Sequence, residues 1–121
     1  MPRRSREDAE PFTTKDGSTI RVLLDAEVAA ARKQSLAEAT LAPGHATRRH
    51  YHARSEEIYF VLEGRGEMEV DGDHEQVGPG DAILIPPGAR HQIRAEGAEL
   101  RFLCCCAPPY SDEDTFFESR C

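Results

Sequence analysis

The fold of this chain is decided by residues 44–64, which read GHATRRHYHARSEEIYFVLEG. His50 and His52 are two residues apart, so on a β-strand their side chains point to the same face. Glu57 follows at a spacing that lets the next strand offer a carboxylate to the same place. Farther along the chain, His91 supplies a third imidazole after a proline-rich turn. Three imidazoles and one carboxylate that converge inside a small β-structure predict a site for a single transition-metal ion.

Short apolar segments separated by glycine and proline turns run along the chain on both sides of this stretch. The pair Asp71-Gly72 is a strong signal for a two-residue hairpin turn. The Ala-rich residues 25–33 predict a short helix or a helical turn. Short strands at even spacing are typical of an all-β sandwich or barrel. The predicted strands cover residues 18–24, 34–42, 50–52, 57–63, 67–70, 74–77, 82–85, 91–95 and 100–106.

The length of 121 residues fits one domain with one hydrophobic core, and no internal repeat is present. We divide the chain into a polar N-terminal arm at 1–17, a barrel at 18–106 and an acidic C-terminal tail at 107–121. The acidic side chains of the tail are expected to be solvated. Its aromatic residues are expected to dock on the barrel or on a partner subunit. These tail residues are Asp112, Glu113, Asp114 and Glu118, with Phe116 and Phe117.

The composition excludes several classes of protein. A net charge of −7 argues against a nucleic-acid-binding surface, which requires a basic stripe. The sequence contains no apolar run long enough to span a membrane, and its first residues lack the apolar region of a signal peptide. We therefore expect a cytoplasmic protein.

The cysteines at 104, 105, 106 and 121 fit neither a disulfide framework nor a zinc motif. We interpret Cys104, Cys105 and Cys106 as small apolar residues of the last strand. Strand alternation places the first and third of them on one face. A thiol of that face acting as a metal ligand or an oxidation target is the less favoured alternative.

The strand at 57–63 is apolar on both faces. If Glu57 points inward, Tyr59 and Val61 also point inward. A monomer does not normally leave an outer face of this kind in water. The N-terminal segment or a second copy of the chain is expected to cover it, and a homodimer is favoured. The outward residues are Ile58, Phe60 and Leu62.

The histidine and glutamate spacings of this chain resemble the two sequence motifs of the cupin family. The first cupin motif has a glycine, five residues, His-x-His, three or four residues, a glutamate, six residues and a second glycine. Gly44, His50, His52, Glu57 and Gly64 fill it without a gap.

The second cupin motif has a glycine, five residues, a proline, four residues, a histidine, three residues and an asparagine. Gly80, Pro86 and His91 match it, whereas Ala95 stands at the asparagine position. That asparagine is not a metal ligand in the family, so its replacement leaves the predicted ligand set intact. The resemblance covers about residues 18–106 and is closest to the small single-domain microbial cupins.

The resemblance implies a jelly-roll β-barrel with one divalent metal ion held inside by His50, His52, Glu57 and His91. Imidazole and carboxylate donors suit iron, manganese, nickel, copper and zinc, and the sequence does not choose among them. Four protein ligands on an octahedral ion leave two positions for water, substrate or dioxygen.

Two further side chains are predicted to face the cavity. Arg48 is in phase with His50 and His52, and its guanidinium could bind a substrate carboxylate or pair with an acidic residue at the barrel mouth. Tyr59 could orient a substrate, donate a proton or simply fill the barrel.

Three polar residues near the motifs are not expected to bind metal. His45 and His74 lie outside the motifs. Glu56 alternates outward on its strand.

We predict a metalloenzyme of the small dioxygenase or oxidoreductase type that acts on a small organic substrate. The first alternative is a non-redox isomerase, epimerase or lyase in which the metal acts as a Lewis acid. The second is a ligand-binding or sensory cupin without turnover. Because fold does not fix function, these alternatives stay open at the level of sequence.

Overall fold

The computed structural model describes residues 1–117, which form two antiparallel sheets packed face to face. Eleven strands occur in this part of the chain: β1 (Phe12–Thr13), β2 (Thr19–Leu24), β3 (Ser35–Leu41), β4 (His50–His52), β5 (Glu56–Glu63), β6 (Gly66–Val70), β7 (Asp73–Val77), β8 (Ala82–Ile85), β9 (His91–Ala95), β10 (Leu100–Ala107) and β11 (Thr115–Phe117). The short helix α1 (Ala26–Ala29) and two 3₁₀ turns (Arg6–Asp8 and Asp112–Asp114) complete the described elements.

The strand order in the six-stranded sheet is β1-β2-β3-β10-β5-β8, and in the five-stranded sheet it is β11-β4-β9-β6-β7. Neighbouring strands in both sheets are antiparallel. Neighbours are often far apart in sequence, as where β10 lies between β3 and β5, so the chain passes repeatedly from one sheet to the other. The predicted all-β fold is confirmed.

Two turns show how the sequence fixes the strand register. Asp71 and Gly72 join β6 to β7 with φ values of 49° and 86°, both positive, as a type I′ hairpin turn requires. Gly64 has a φ of 84°, and a Cβ atom there would collide with the carbonyl oxygen of Glu99. Glycine is required at this motif position both by the backbone conformation and by the lack of space.

The hydrophobic core fills the space between the two sheets. Its most deeply buried members include Val61, Ile93, Leu100 and Phe102, each at most 1% exposed. Burial of this kind is the main stabilising contribution to such a fold. The core is continuous with the wall of the cavity described below, because Phe102 belongs to both.

The expected alternation along β5 is present. Glu57, Tyr59 and Val61 are buried, whereas Ile58 and Phe60 are 42% and 40% exposed on the outer face. The N-terminal segment does not cover these two residues.

The N-terminal segment covers a different part of the same sheet. Arg6 forms an ion pair with Glu38 of β3, with Nε and Oε1 2.7 Å apart. Arg101 of β10 binds the same carboxylate. The arm therefore packs over β3 and leaves the outer face of β5 open.

Both flanking segments are part of the sheets, beyond the predicted barrel limits of 18 and 106. The arm contributes β1, which pairs with β2, and the tail contributes β11, which pairs with β4. Asp114 is buried, which corrects the expectation of a solvated tail, although Asp112 and Glu113 are exposed. The predicted positions at Glu118 and Cys121 lie outside the described residues. In residues 1–117, no helix has the length and apolar character needed to cross a membrane.

Candidate metal centre

The four predicted donor residues converge between the two sheets. His50 and His52 lie on β4, and His91 begins the adjacent strand β9, where it is the register partner of His50. Glu57 reaches across from β5 in the opposite sheet. All four are buried, and one donor atom from each lies within 4.8 Å of the other three. A cluster of this composition could hold a metal ion.

Backbone carbonyls fix the orientation of two of the imidazoles. The Nδ1 atom of His50 lies 2.7 Å from the carbonyl oxygen of Arg48, and that of His91 lies 3.0 Å from the carbonyl oxygen of Ala89. A carbonyl oxygen can only accept a hydrogen bond, so Nδ1 carries the proton in both rings. In the neutral ring the Nε2 lone pair is then free for a metal, as in established metal sites.

The C-terminal segment orients the third imidazole. The Nδ1 atom of His52 lies 3.3 Å from the carbonyl oxygen of Asp114 and 3.2 Å from Oγ1 of Thr115. The Thr115 hydroxyl donates its own proton to the carbonyl oxygen of Ser111 at 2.9 Å, so it accepts from His52. The tail thus selects the same tautomer for His52 that the backbone selects for His50.

Glu57 faces two of these Nε2 atoms. Its Oε1 atom lies 3.3 Å from Nε2 of His52 and 3.4 Å from Nε2 of His91. Within residues 1–117, Oε1 of Glu57 and Nε2 of His91 are buried without a hydrogen-bond partner. Lone pairs that face each other in a buried site need a cation between them, either a proton or a metal ion. The donor set therefore fits a divalent metal ion.

The electrostatics of the cluster support this interpretation. Burial and the neighbouring His91 lower the pKa of His50 to about 4. Burial lowers the pKa of His52, but the Glu57 carboxylate outweighs burial and raises it overall. For Glu57, burial alone would raise the pKa. The neighbouring His52 and His91 lower it by more, so the pKa of Glu57 is below its usual range. Near neutral pH the site therefore presents a charged carboxylate and a neutral His50.

A cysteine holds the second oxygen of the carboxylate. Cys106 is the register partner of Glu57 on β10, and its thiol donates to Oε2 at 3.1 Å. Burial and the Glu57 charge raise the pKa of this thiol, so it stays protonated. Cys104, two residues away, faces the same cavity, as the alternation predicted. Cys106 therefore acts as a hydrogen-bond donor to a candidate ligand and keeps Oε1 directed toward the imidazoles.

A cavity of about 70 Å³ opens beside the cluster. Its walls are mostly apolar and come from the six-stranded sheet, and none of its described lining residues is lysine or arginine. The apolar residues that form most of these walls are Phe12, Ile20, Val22, Ala37, Ala39 and Phe102.

Residues 37–106 match a family model described as a cupin domain. The chain belongs to the cupin family. An uncharacterized protein of Methanocaldococcus jannaschii is 50% identical over 107 residues, which are 88% of this chain and 86% of that protein. The dimethylsulfoniopropionate lyase DddW of Ruegeria pomeroyi is 38% identical over 82 residues. Those residues are 68% of this chain, and the cupin spans only 53% of the length of the lyase.

Solved structures show the same fold. The polyketide cyclase RemF of Streptomyces resistomycificus superposes on this cupin with a TM-score of 0.78 and 30% identity. The superposition covers 94% of this chain and 89% of the cyclase. The likeness extends beyond the family match at 37–106 and includes most of the flanking segments.

The structure places Tyr59 in the cavity wall of the cupin. The residue is 2% exposed, and its ring centroid lies 5.9 Å from that of His91 and 4.7 Å from that of Phe102. Burial and the nearby Glu57 raise the pKa of its hydroxyl well above the usual value. Tyr59 is thus a protonated phenol close to the candidate metal donors.

Arg48 lies elsewhere. Its side chain is exposed and outside the cavity, with the guanidinium 3.9 Å from the ring centroid of Phe117. The strand phase that directed Arg48 inward does not extend to it, because β4 begins at His50. His45, His74 and Glu56 are exposed and outside the donor cluster, as expected.

Sequence reasoning missed three residues that support the site. Asp16 lines the cavity, and Asp114 and Thr115 hold His52. The sequence contained a weak signal for Asp114 and Thr115, because Ser111 is a residue type that often caps a turn. In the structure its hydroxyl oxygen accepts a hydrogen bond from the amide of Asp114. No motif spacing marks Asp16.

Proposed function

We propose that this cupin is a metal-dependent enzyme that acts on a small organic molecule. His50, His52, Glu57 and His91 would hold one divalent transition-metal ion. The observation that carries the proposal is the buried, unpartnered pair formed by Glu57 Oε1 and His91 Nε2. When bound, the ion would supply Lewis acidity toward an oxygen, nitrogen or sulfur atom of the substrate.

The remaining residues of the cavity have separate tasks. The Tyr59 hydroxyl is protonated. Its proposed role is to donate a proton to the substrate or to orient the substrate through a hydrogen bond. Phe12 and Phe102 contribute apolar surface that excludes water and strengthens polar interactions within the cavity. Cys106 keeps the Glu57 carboxylate in place.

We favour non-redox chemistry of the lyase or cyclase type. Among the relatives that carry an activity in their names and match most of this chain are a lyase and a polyketide cyclase. Both reaction types can proceed by polarising a substrate oxygen and moving a proton, and Tyr59 is the proposed source of that proton.

A dioxygenase or oxidoreductase, as the sequence predicted, is the second candidate. Its support is the apolar lining of the cavity, because dioxygen is apolar and partitions into such space. The same four donors suit iron as well as zinc, so the protein ligands alone do not separate the two reactions.

The experiment loads the apoprotein separately with zinc and with iron(II). A panel of small phenols, thiols and hydroxylated ketones is then followed by mass spectrometry under nitrogen and in air, with oxygen uptake recorded. Product formed with zinc under nitrogen supports non-redox chemistry, and product with matching oxygen uptake only with iron supports the dioxygenase. Tight metal binding with no product from the panel would favour a ligand-binding or sensory cupin.

We also propose a homodimer that covers the outer face of β5. Ile58 and Phe60 are about two-fifths exposed, and Leu84, the register partner of Ile58 on β8, is 55% exposed. A contiguous apolar face of this kind is unfavourable in water. Light scattering during size-exclusion chromatography is expected to give twice the monomer mass, and Phe60→Asp is expected to give the monomer. A monomeric wild type at micromolar concentration would contradict the proposal.

A further inference from the structure

Asp16 stands at the tip of the turn between β1 and β2, outside the residues that match the family model. The turn is tight, with Gly17 at a φ of 94° and its amide donating to the carbonyl oxygen of Thr14 at 3.0 Å. The carbonyl oxygen of Asp16 accepts from the amide of Arg48 at 2.7 Å. The turn is therefore tied to the chain just before His50.

The two carboxylate oxygens of Asp16 have different surroundings. Oδ1 accepts from both the amide and the hydroxyl of Ser18, at 2.9 and 2.6 Å, and Ser18 is 1% exposed. Oδ2 lies 3.8 Å from Nε2 of His50 and has no hydrogen-bond partner within residues 1–117. One oxygen is thus fixed by the fold, while the other faces the cavity beside the metal donors.

Asp16 lies outside the group of four donors that meet within 4.8 Å, so it borders the site without belonging to the ligand set. The carboxylates of Asp16 and Glu57 together carry a charge of −2, which a divalent ion would balance. No lysine or arginine is among the described lining residues to balance a further negative charge. A third carboxylate would therefore enter a cavity of low dielectric with no counter-ion.

We propose that Asp16 determines which molecules the cavity accepts. Its Oδ2 accepts a hydrogen bond from the hydroxyl group of a small uncharged molecule at the metal, and its charge disfavours carboxylates. The substrate class is then neutral, hydroxyl-bearing and largely apolar, such as a phenol or an enol. This inference rests on the proposed metal centre, because it concerns a molecule bound beside that ion.

The test uses cobalt(II) as a spectroscopic metal, with phenol as the neutral probe and acetate as the anionic probe. Visible absorption of the cobalt-loaded protein is titrated with each probe for the wild type, Asp16→Asn and Asp16→Glu. Asp73→Asn, which removes an exposed carboxylate of β7 away from the cavity, is the matched control.

We expect Asp16→Asn to bind acetate about tenfold or more tightly than the wild type, because one nearby negative charge is removed. Phenol binding should weaken in the same variant, whereas Asp16→Glu and Asp73→Asn should keep the wild-type preference. Cobalt binding with an unchanged preference in Asp16→Asn would overturn this inference alone. Failure of the wild type to bind cobalt would overturn the metal centre and this inference with it.

Discussion

The strands between residues 37 and 106 and the segments that flank them contribute differently to the same site. The strands supply all four candidate metal donors, at spacings fixed by strand alternation and register. The flanks supply groups that orient or surround those donors, namely the Asp16 carboxylate and the Asp114–Thr115 pair beside His52. The barrel strands therefore provide the candidate donors, whereas the flanking segments orient His52 and border the cavity.

The largest expected effect lies in the barrel itself. Phe102→Ala removes a side chain that is 1% exposed, packs on Tyr59 and lines the cavity. We expect it to lower the free energy of unfolding by about 3–5 kcal/mol in urea denaturation. Phe116→Ala in β11, where the ring is 41% exposed and stacks on Tyr51, should cost about 1 kcal/mol. Equal losses would contradict the division between barrel and flank.

The next effect tests whether the tail supports the site. The buried Asp114 carboxylate accepts from the amides of Arg54 and Ser55 at 3.0 Å each. Asp114→Ala leaves both amides without this partner and is expected to cost about 2–3 kcal/mol. Asp112→Ala, in the same turn but exposed, is the control and should change stability little. An unchanged free energy of unfolding in Asp114→Ala would mean that the tail packs on the barrel without stabilising it.

The barrel and the flanking segments also differ in how far the sequence predicted them. Strand alternation, which is a local rule, predicted that His50 and His52 share a face, and the resemblance to the cupin motifs implied that Glu57 and His91 join them. Asp114 was misjudged because its burial depends on β11 pairing with β4, about 60 residues earlier in the chain. Arg48 is not among the described lining residues of the cavity, because it lies two residues before β4 and strand alternation does not extend to it. Asp16 was missed since a tight turn, which has no periodicity, carries it to the site.

The third prediction concerns how the stability of the metal-free protein depends on pH through the candidate donor His50. Burial and the neighbouring His91 lower the pKa of His50 from an ordinary value of 6.5 to about 4 in the folded protein. Between pH 6.5 and 4 the unfolded chain takes up a proton that the folded chain does not. The free energy of unfolding therefore falls as pH drops through this window, by roughly 1–3 kcal/mol, and levels off below it.

His50→Gln should remove this contribution. The pKa of His52 is raised, so its contribution has the opposite sign, is present below pH 6.5 and fades as pH rises. It occurs in both proteins, and the difference between them isolates His50. Parallel pH curves for the wild type and His50→Gln, from urea unfolding, would show that His50 titrates normally.

The smallest expected effect concerns Cys106. Cys106→Ala removes the thiol that donates to Glu57 and should weaken zinc binding about tenfold in a chelator competition. Cys106→Ser keeps a donor at nearly the same place and should restore most of the affinity. Cys104→Ala, on the same face of β10, is the control for a change in cavity volume. Equal losses in the alanine and serine variants would show that the hydrogen bond is not what matters.

The central claim is that the buried cluster holds one divalent metal ion. The most direct measurement is elemental analysis of the purified wild type beside Glu57→Gln and Glu56→Gln, which alter adjacent residues of β5 on opposite faces. We predict close to one metal ion per chain in the wild type and in Glu56→Gln, and a large loss in Glu57→Gln. Absence of metal from the wild type, even after incubation with iron, manganese, nickel, copper and zinc, would contradict the account.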